Sequence, residues 1–387
     1  MGTPQLRTAL AASIGALLLA ACSSAGGQVA NHSASPVRTG ASPASSSPSS
    51  ASPPATAHAA DAYGVLTDWQ PGASTYNVYL VTPDGGIAAH AQASTPAIVT
   101  CGPDNSTPYL PPPVSASHSL AYFMDARGDV RSLSPDGSTS DALFHVAVGA
   151  NKWSFFAVNP DGVHLAATTV TYNGQGLATT QLYVDQIVPN GVEQVGTPPS
   201  LRFQETGSTT LWPVGWHAGL LVLAVVPACP GAIGPTYWAS ELHVVDPGTA
   251  VRKVTIGGAG CVLAGPPSPA GAVCITGSGD AQVVGWDGRP RNAGPAGTPH
   301  PIYISPNGQL LASVADTTTN VVSGGTIIGA QNTTVSLPSL SMCGWVDDSH
   351  VLGAGGTGPA KVGNVADRTV TTLNVSGFCA GRIPGDL

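Results

Sequence analysis

Apolar and polar positions along this chain fall into short runs broken at close intervals, the pattern of strands rather than helices. Two kinds of run alternate. In one, a β-rich segment leads up to a turn, as at 76–81, 130–133, 181–184, 242–245 and 282–285. In the other, a short apolar run enters a turn and the most apolar strand follows it: 153–158 then 164–170, 211–214 then 220–226, 302–304 then 310–314. The runs 342–345 and 351–354 repeat that order around Asp347 and Asp348.

The reversals share one chemistry: a small or polar residue, then Pro, then Asp or Asn, then Gly. It recurs as Thr82-Pro83-Asp84-Gly85, Ser134-Pro135-Asp136-Gly137, Asn159-Pro160-Asp161-Gly162 and Ser305-Pro306-Asn307-Gly308. Degenerate copies stand at Pro189-Asn190-Gly191, Asp246-Pro247-Gly248 and Trp286-Asp287-Gly288. Pro pre-sets φ, Asp or Asn caps its own backbone and Gly accepts positive φ, so each predicts a tight turn between strands. Turns of the first kind start near 82, 134, 188, 246 and 286, with a weaker one at Ala366-Asp367-Arg368 and one more expected within 315–337. Their mean spacing is about 47 residues, and two turn types per period mean four strands per unit. Four-stranded units repeated radially are propeller blades, so the expected fold class is all-β, a β-propeller of seven four-stranded blades. Units vary from about 40 to about 58 residues, and a pair of two-sheet sandwiches with similar hairpins is the competing architecture.

The copies that open apolar strands, Asn159-Pro160-Asp161-Gly162-Val163-His164-Leu165-Ala166 and Ser305-Pro306-Asn307-Gly308-Gln309-Leu310-Leu311-Ala312, resemble repeats of the TolB and WD40-like propeller superfamily. The resemblance extends over most of 61–380. It implies the architecture and leaves the chemistry open, because that architecture hosts unrelated activities. The Trp-Asp and Gly-His dipeptides of eukaryotic WD40 repeats do not recur here in register.

Composition agrees with the pattern. The chain of 387 residues holds 48 Gly and 35 Pro with only 9% charged residues. Its lysines are Lys152, Lys253 and Lys361 and its glutamates Glu193, Glu205 and Glu241, so the usual polar helix formers are nearly missing. A formal charge of -8 without a basic cluster excludes the electrostatic footprint of a nucleic-acid binder.

Residues 1–21 carry one basic side chain, Arg7, before a mostly apolar run too short to span a bilayer, the shape of a secretory signal. The run ends in Leu19-Ala20-Ala21-Cys22 followed by Ser23 and Ser24, which resembles the lipobox of bacterial lipoproteins. The resemblance implies that Cys22 bears a thioether-linked diacylglycerol and anchors the chain to the outer face of the bacterial cell membrane. Residues 22–60 are almost wholly Ser, Ala, Pro, Gly and Thr and cannot bury a core. As a flexible tether they reach about 35 Å, and their composition suits O-glycosylation. The folded domain is then 61–387.

Besides Cys22, six cysteines remain, an even number suited to disulfides in an oxidising compartment. Cys261 and Cys274 flank the turn Ser268-Pro269-Ala270-Gly271 and are expected to pair across adjacent strands. Cys343 lies in the first strand of the last blade, to which Cys379 must return if the ring closes. Cys101 with Cys229 is the remaining pair. No C-x-x-C occurs, which excludes zinc-ribbon and thioredoxin-like readings.

No nucleophile elbow, H-E-x-x-H, P-loop or EF-hand loop is present, and Ser134-Pro135-Asp136-Gly137-Ser138-Thr139 lacks the aromatic and spacing of a sialidase Asp-box. His118, His164, His217 and His350 sit at or just beyond turns on what would be one propeller face. They are expected to be solvated turn residues, with a ring of imidazoles as the sharper alternative. Trp153, Trp212, Trp216, Trp238, Trp286 and Trp345 are expected mainly to wedge between blades. Trp216, Trp286 and Trp345, with His164 and His350, are the candidate binding residues. Asp347 and Asp348 are read as turn caps rather than cation ligands, and 103–113 as an exposed Pro-rich loop over one face. The leading expectation is a non-catalytic binding or scaffolding module for a protein, peptide or glycan, with no cofactor and no metal. The alternatives are an exported propeller enzyme (lyase, glycosidase or quinone-dependent dehydrogenase) with its site at the central channel, and an envelope assembly factor of the TolB-like kind.

Overall fold

Strands in this chain divide by how many faces they bury, and that division explains the two kinds of run. Lys152–Val158 and His164–Tyr172 are buried almost throughout, because blades pack on both sides of them. Thr75–Val81, which leads up to the Thr82 turn, alternates instead, with Tyr76, Val78 and Leu80 buried and Asn77 and Tyr79 partly exposed, and the outer-edge strand Ile87–Ser94 alternates throughout its second half. The computed structural model describes residues 61–387 apart from 105, 189–192, 196–199, 230–238, 294–300, 316, 324–334 and 354–357. The segments 1–21 and 22–60 with Cys22, the Pro189-Asn190-Gly191 turn and Trp238 lie outside the described residues.

Seven antiparallel sheets form the blades of a propeller. Blade 2 is Val114–Ala116, Ala121–Met124, Asp129–Leu133 and Phe144–His145; blade 3 is Lys152–Val158, His164–Tyr172, Ala178–Gln186 and Leu201–Gly207. Blade 4 is Thr209–His217, Leu220–Pro227, Glu241–Val245 and Arg252–Gly257; blade 5 is Cys261–Leu263, Ala272–Thr276, Ala281–Val284 and Pro290–Ala293. Blade 6 is Ile302–Ile304, Leu310–Ala315, Thr318–Ser323 and Val335–Leu337; blade 7 is Met342–Trp345, His350–Gly353, Pro359–Asn364 and Thr369–Ser376. Blade 1 joins both ends of the domain. Its strands Tyr63–Thr67, Thr75–Val81 and Ile87–Ser94 take Phe378–Ile383 as their first strand, with Tyr63 opposite Ile383 and Thr67 opposite Phe378.

The sheet of blade 2 departs from four strands. Glu193–Gln194, from the link between the third and fourth strands of blade 3, pairs parallel with Phe144–His145 as a fifth.

The expected turn chemistry is present in detail. Gly85, Gly137, Gly162 and Gly308 donate backbone hydrogen bonds of 2.8–3.0 Å to the residues that open their turns, Thr82, Ser134, Asn159 and Ser305. Gly85 has φ 87°, and a Cβ there would stand 2.7 Å from Cγ2 of Thr371 in the neighbouring blade, so both conformation and packing call for Gly. The up-and-down order puts all turns from first to second and from third to fourth strands on one face, here the turn face. The remaining connections lie on the opposite face.

Between blades the core is a series of wedges. Leu66 and Val81 of blade 1 pack with Val346, Leu352 and Val362 of blade 7. Trp216 and Leu221 of blade 4 pack with Ala157 and Ala166 of blade 3. Disulfides join Cys261 to Cys274 and Cys343 to Cys379, the pairs expected from strand placement, and Cys101 to Cys229, the pair expected as the remainder. The Cys343–Cys379 bond staples the first strand of blade 7 to that of blade 1, beside the ring closure.

Candidate functional site

The first strands of the blades surround a central cavity of about 350 Å³. Six blades contribute residues of those strands, and blade 5 contributes 266–269. Its wall is aromatic: Phe155 stacks on Trp212 with centroids 4.2 Å apart, Tyr109 stacks on the same indole at 6.2 Å, and Trp153 lies 6.5 Å from Phe155. Tyr303 and Trp345 complete it from blades 6 and 7. Burial pushes the Tyr303 hydroxyl up to about 12, so it stays protonated and neutral across the physiological range. Trp345 is 6% exposed, and its buried indole N–H has no hydrogen-bond partner among the described residues.

Among the described residues the wall carries two charged side chains, Arg382 and Asp386, and they meet each other. Arg382 closes the first strand of blade 1, with its side chain only 15% exposed, and its Nη2 donates to Asp386 Oδ1 at 3.0 Å. Burial pulls the guanidinium below the ordinary arginine value, while Asp386, Asp348 and Asp347 act in the other direction. It remains a cation at any physiological pH.

The two ends of the cavity are closed differently. On the turn face, the segment 384–387 crosses the mouth where blade 1 has no first-to-second-strand turn. Gly385 N–H donates to Ser117 O and Leu387 N–H to Trp216 O, both at 2.8 Å. His217 Nδ1 donates to the Leu387 main-chain oxygen, and the Leu387 side chain occupies the space a Cβ at Gly215 would need. At the other end, where the first strands begin, Tyr109 and Pro111–Pro113 line the opening. The 103–113 loop was expected to be exposed. Pro103 and Asp104 are, but Pro108, Leu110 and Pro113 are buried, because the loop turns inward against the aromatic wall. The Cys101–Cys229 bond ties its start to blade 4.

The four turn histidines share the turn face, each engaged where it stands. His118 is exposed and its N–H donates to Pro160 O at 3.0 Å. His164 Nδ1 lies 3.3 Å from Asp161 Oδ2. His217 holds the tail and stacks on Trp286 at 5.5 Å. His350 Nδ1 lies 2.8 Å from Asp347 Oδ2, and Asn364 Nδ2 is 3.1 Å from its other ring nitrogen. Among the described residues no three His, Cys, Asp or Glu side chains converge as metal ligands would.

Asp347 caps its own turn, accepting from the N–H groups of Ser349 and His350, both at 2.7 Å. Burial raises its carboxyl, yet these bonds and His350 outweigh it and hold the group below the usual range. Asp348 Oδ1 accepts from Asn307 N–H at 2.8 Å and so ties blade 7 to the turn of blade 6.

The candidate tryptophans divide. Trp216 is buried, and its Nε1 donates to Ala157 O of blade 3 at 3.1 Å. Trp286 is buried, and its Nε1 donates to Ser268 O and Pro269 O, both at 3.1 Å. Of the three, Trp345 lines the cavity. Tyr109, Phe155, Tyr303, Arg382 and Asp386 were not anticipated as site residues, and Trp153 and Trp212 were expected only as wedges between blades. Phe155 carried a signal, as an aromatic in a first strand; a lone Arg in the strand Phe378–Ile383 carried none.

No family model matches this chain, and no curated protein matches it. Among solved structures, a chain of the "Crystal Structure of Mitotic Checkpoint Complex" aligns at a TM-score of 0.41 and 13% identity, over 71% of this chain and 77% of that one. The oligogalacturonate lyase of Vibrio parahaemolyticus aligns at 0.45 and 9% identity, over 78% of this chain and 90% of its own. Likenesses of this degree carry no argument about chemistry.

Proposed function

We propose that this chain is an exported lipoprotein, anchored at Cys22 to the outer face of the bacterial cell membrane, whose propeller holds a protein, peptide or glycan partner without transforming it. The observation that carries the reading is how the polar groups are spent. Five carboxylates of the turn face, Asp84, Asp136, Asp161, Asp246 and Asp347, are held below the usual range by hydrogen bonds within their own turns. Such groups are poor general acids at neutral pH. In the cavity, the one side-chain carboxylate among the described wall residues is already bound to Arg382. A glycosidase needs two carboxyl groups across its scissile bond, which this wall does not supply. The favoured partner surface is the turn face, where a short polar turn from every blade reaches one side of the ring.

Two measurements test it. Membrane fractionation with intact-mass analysis is expected to find the wild-type chain in the membrane with acyl mass on Cys22, and Cys22→Ala released. Affinity capture with the full chain from solubilised envelope is expected to return a partner of unaltered mass. Recovery of the wild-type chain in the soluble fraction contradicts the anchor. Turnover of a glycan or peptide by the purified protein contradicts the non-catalytic role.

A further inference from the structure

The central cavity combines three features that together specify a ligand. Its wall is built of flat rings, Tyr109, Trp153, Phe155 and Trp212 from one side and Tyr303 and Trp345 from the other. It holds one cation, Arg382, in largely desolvated surroundings where a charge-assisted hydrogen bond is strong. It also holds a buried indole N–H, on Trp345, without a partner among the described residues. The carboxylate on Arg382 comes from the protein's own tail, and Asp386 is 42% exposed while Arg382 is 15% exposed.

We propose that the cavity is a binding site for a small aromatic carboxylate, whose carboxylate takes the place of Asp386 on Arg382 while its ring lies against the aromatic wall, and that 384–387 is a displaceable plug. The plug is held by the ion pair, the N–H groups of Gly385 and Leu387 on Ser117 O and Trp216 O, His217 on the Leu387 oxygen, and the Leu387 side chain packed against Gly215. All of these lie at the mouth; the polar ones can be exchanged for water, and none belongs to the strand pairing of a blade. The opposite end, narrowed by the Pro111–Pro113 segment and tied by Cys101–Cys229, stays in place. A ligand therefore enters from the turn face and competes with the tail, so its apparent affinity is set by the fraction of molecules with the plug out. A neutral analogue of the same shape gains the ring contacts and forgoes the ion pair. This site is distinct from the turn-face surface assigned to a macromolecular partner, and its test contains no partner.

The test titrates the purified full chain with 2-naphthoate and with neutral 2-naphthamide, reading tryptophan fluorescence and, independently, calorimetric heat. Wild type is expected to bind naphthoate saturably at one site and more tightly than naphthamide. Asp386→Asn, and separately a chain ending at Pro384, are expected to bind naphthoate at least about tenfold more tightly than wild type, because the internal competitor is gone. Arg382→Met is expected to bind the two probes alike. Should Arg382→Met fail to fold by circular dichroism, Arg382→Lys takes its place, with the preference for naphthoate reduced and still present. Naphthoate affinity unchanged by both tail variants overturns the plug. Equal binding of naphthoate and naphthamide by wild type and by Asp386→Asn, or no saturable binding to either tail variant, overturns the site.

Discussion

Trp216 illustrates how a residue singled out for a surface role can be structural. Its place beside a turn is compatible with a binding surface. Only the neighbouring blade shows the ring to be 2% exposed, with its N–H on Ala157 O. Trp216→Ala is expected to cost about 3–5 kcal/mol in urea unfolding, the range for emptying a large aromatic site in a core, whereas Val163→Ser, at a position 46% exposed, is expected to change stability by less than about 0.5 kcal/mol. Asp347 is the titrating counterpart. Its carboxyl is held low in the folded state, so its contribution is present above the unfolded carboxylate value of about 3.9 and is lost as pH falls through the lower folded value. Asp347→Asn is expected to destabilise by about 1–3 kcal/mol at pH 7, with the difference from wild type shrinking in unfolding measured near pH 3. A constant difference across that range would mean that the cap does not depend on charge. What the sequence did not disclose at this scale is Arg382 with Asp386. The two lie four positions apart, Arg382 within the strand Phe378–Ile383 and Asp386 just beyond it, and nothing local tells that this strand borders a cavity lined by six other blades.

At the scale of the element, the turns were the legible part. Thr82-Pro83-Asp84-Gly85 and its copies fix both a reversal and its hydrogen bond, so they mark blade positions without knowledge of anything distant. The poorly marked 315–337 stretch is explained by blade 6, whose third strand, Thr318–Ser323, is largely polar and whose fourth, Val335–Leu337, is three residues long. Two features stayed hidden because they are long-range pairings. One is the parallel addition of Glu193–Gln194 to blade 2. The other is the loan of Phe378–Ile383 to blade 1, which the expected Cys343–Cys379 pair approached without naming. The disulfides offer a test of that closure. Removing Cys343–Cys379 by a double Ser substitution frees a loop closed over a separation of 36 residues, against 13 for Cys261–Cys274. Loop-closure entropy alone makes the first loss larger by about 1 kcal/mol. The excess is expected to be greater still, since the first pair guards the ring closure and the second lies within one blade. Thermal unfolding of the two double variants decides it; an equal or smaller loss for the Cys343–Cys379 variant would place closure stability elsewhere.

The described domain, 61–387, is a ring of blades whose two faces differ. One presents turns from all seven blades and a mouth closed by 384–387. The other is crossed by the inward-turning Pro-rich loop and the Cys101–Cys229 bond. Composition, turn chemistry and the run pattern led to the architecture directly, whereas the cavity depends on first strands of six blades that are far apart in sequence and became visible only when the ring was assembled. The central functional claim is that the turn face holds a partner outside the cell without altering it. The most direct measurement is site-specific photocrosslinking in intact cells, with the photoreactive side chain placed at exposed His118 on the turn face or at exposed Ser278 on the opposite face. A discrete adduct from position 118, containing a partner of unaltered mass and missing from position 278, is the expected result. Equal labelling from both faces, no adduct from either, or a partner recovered cleaved would contradict the account.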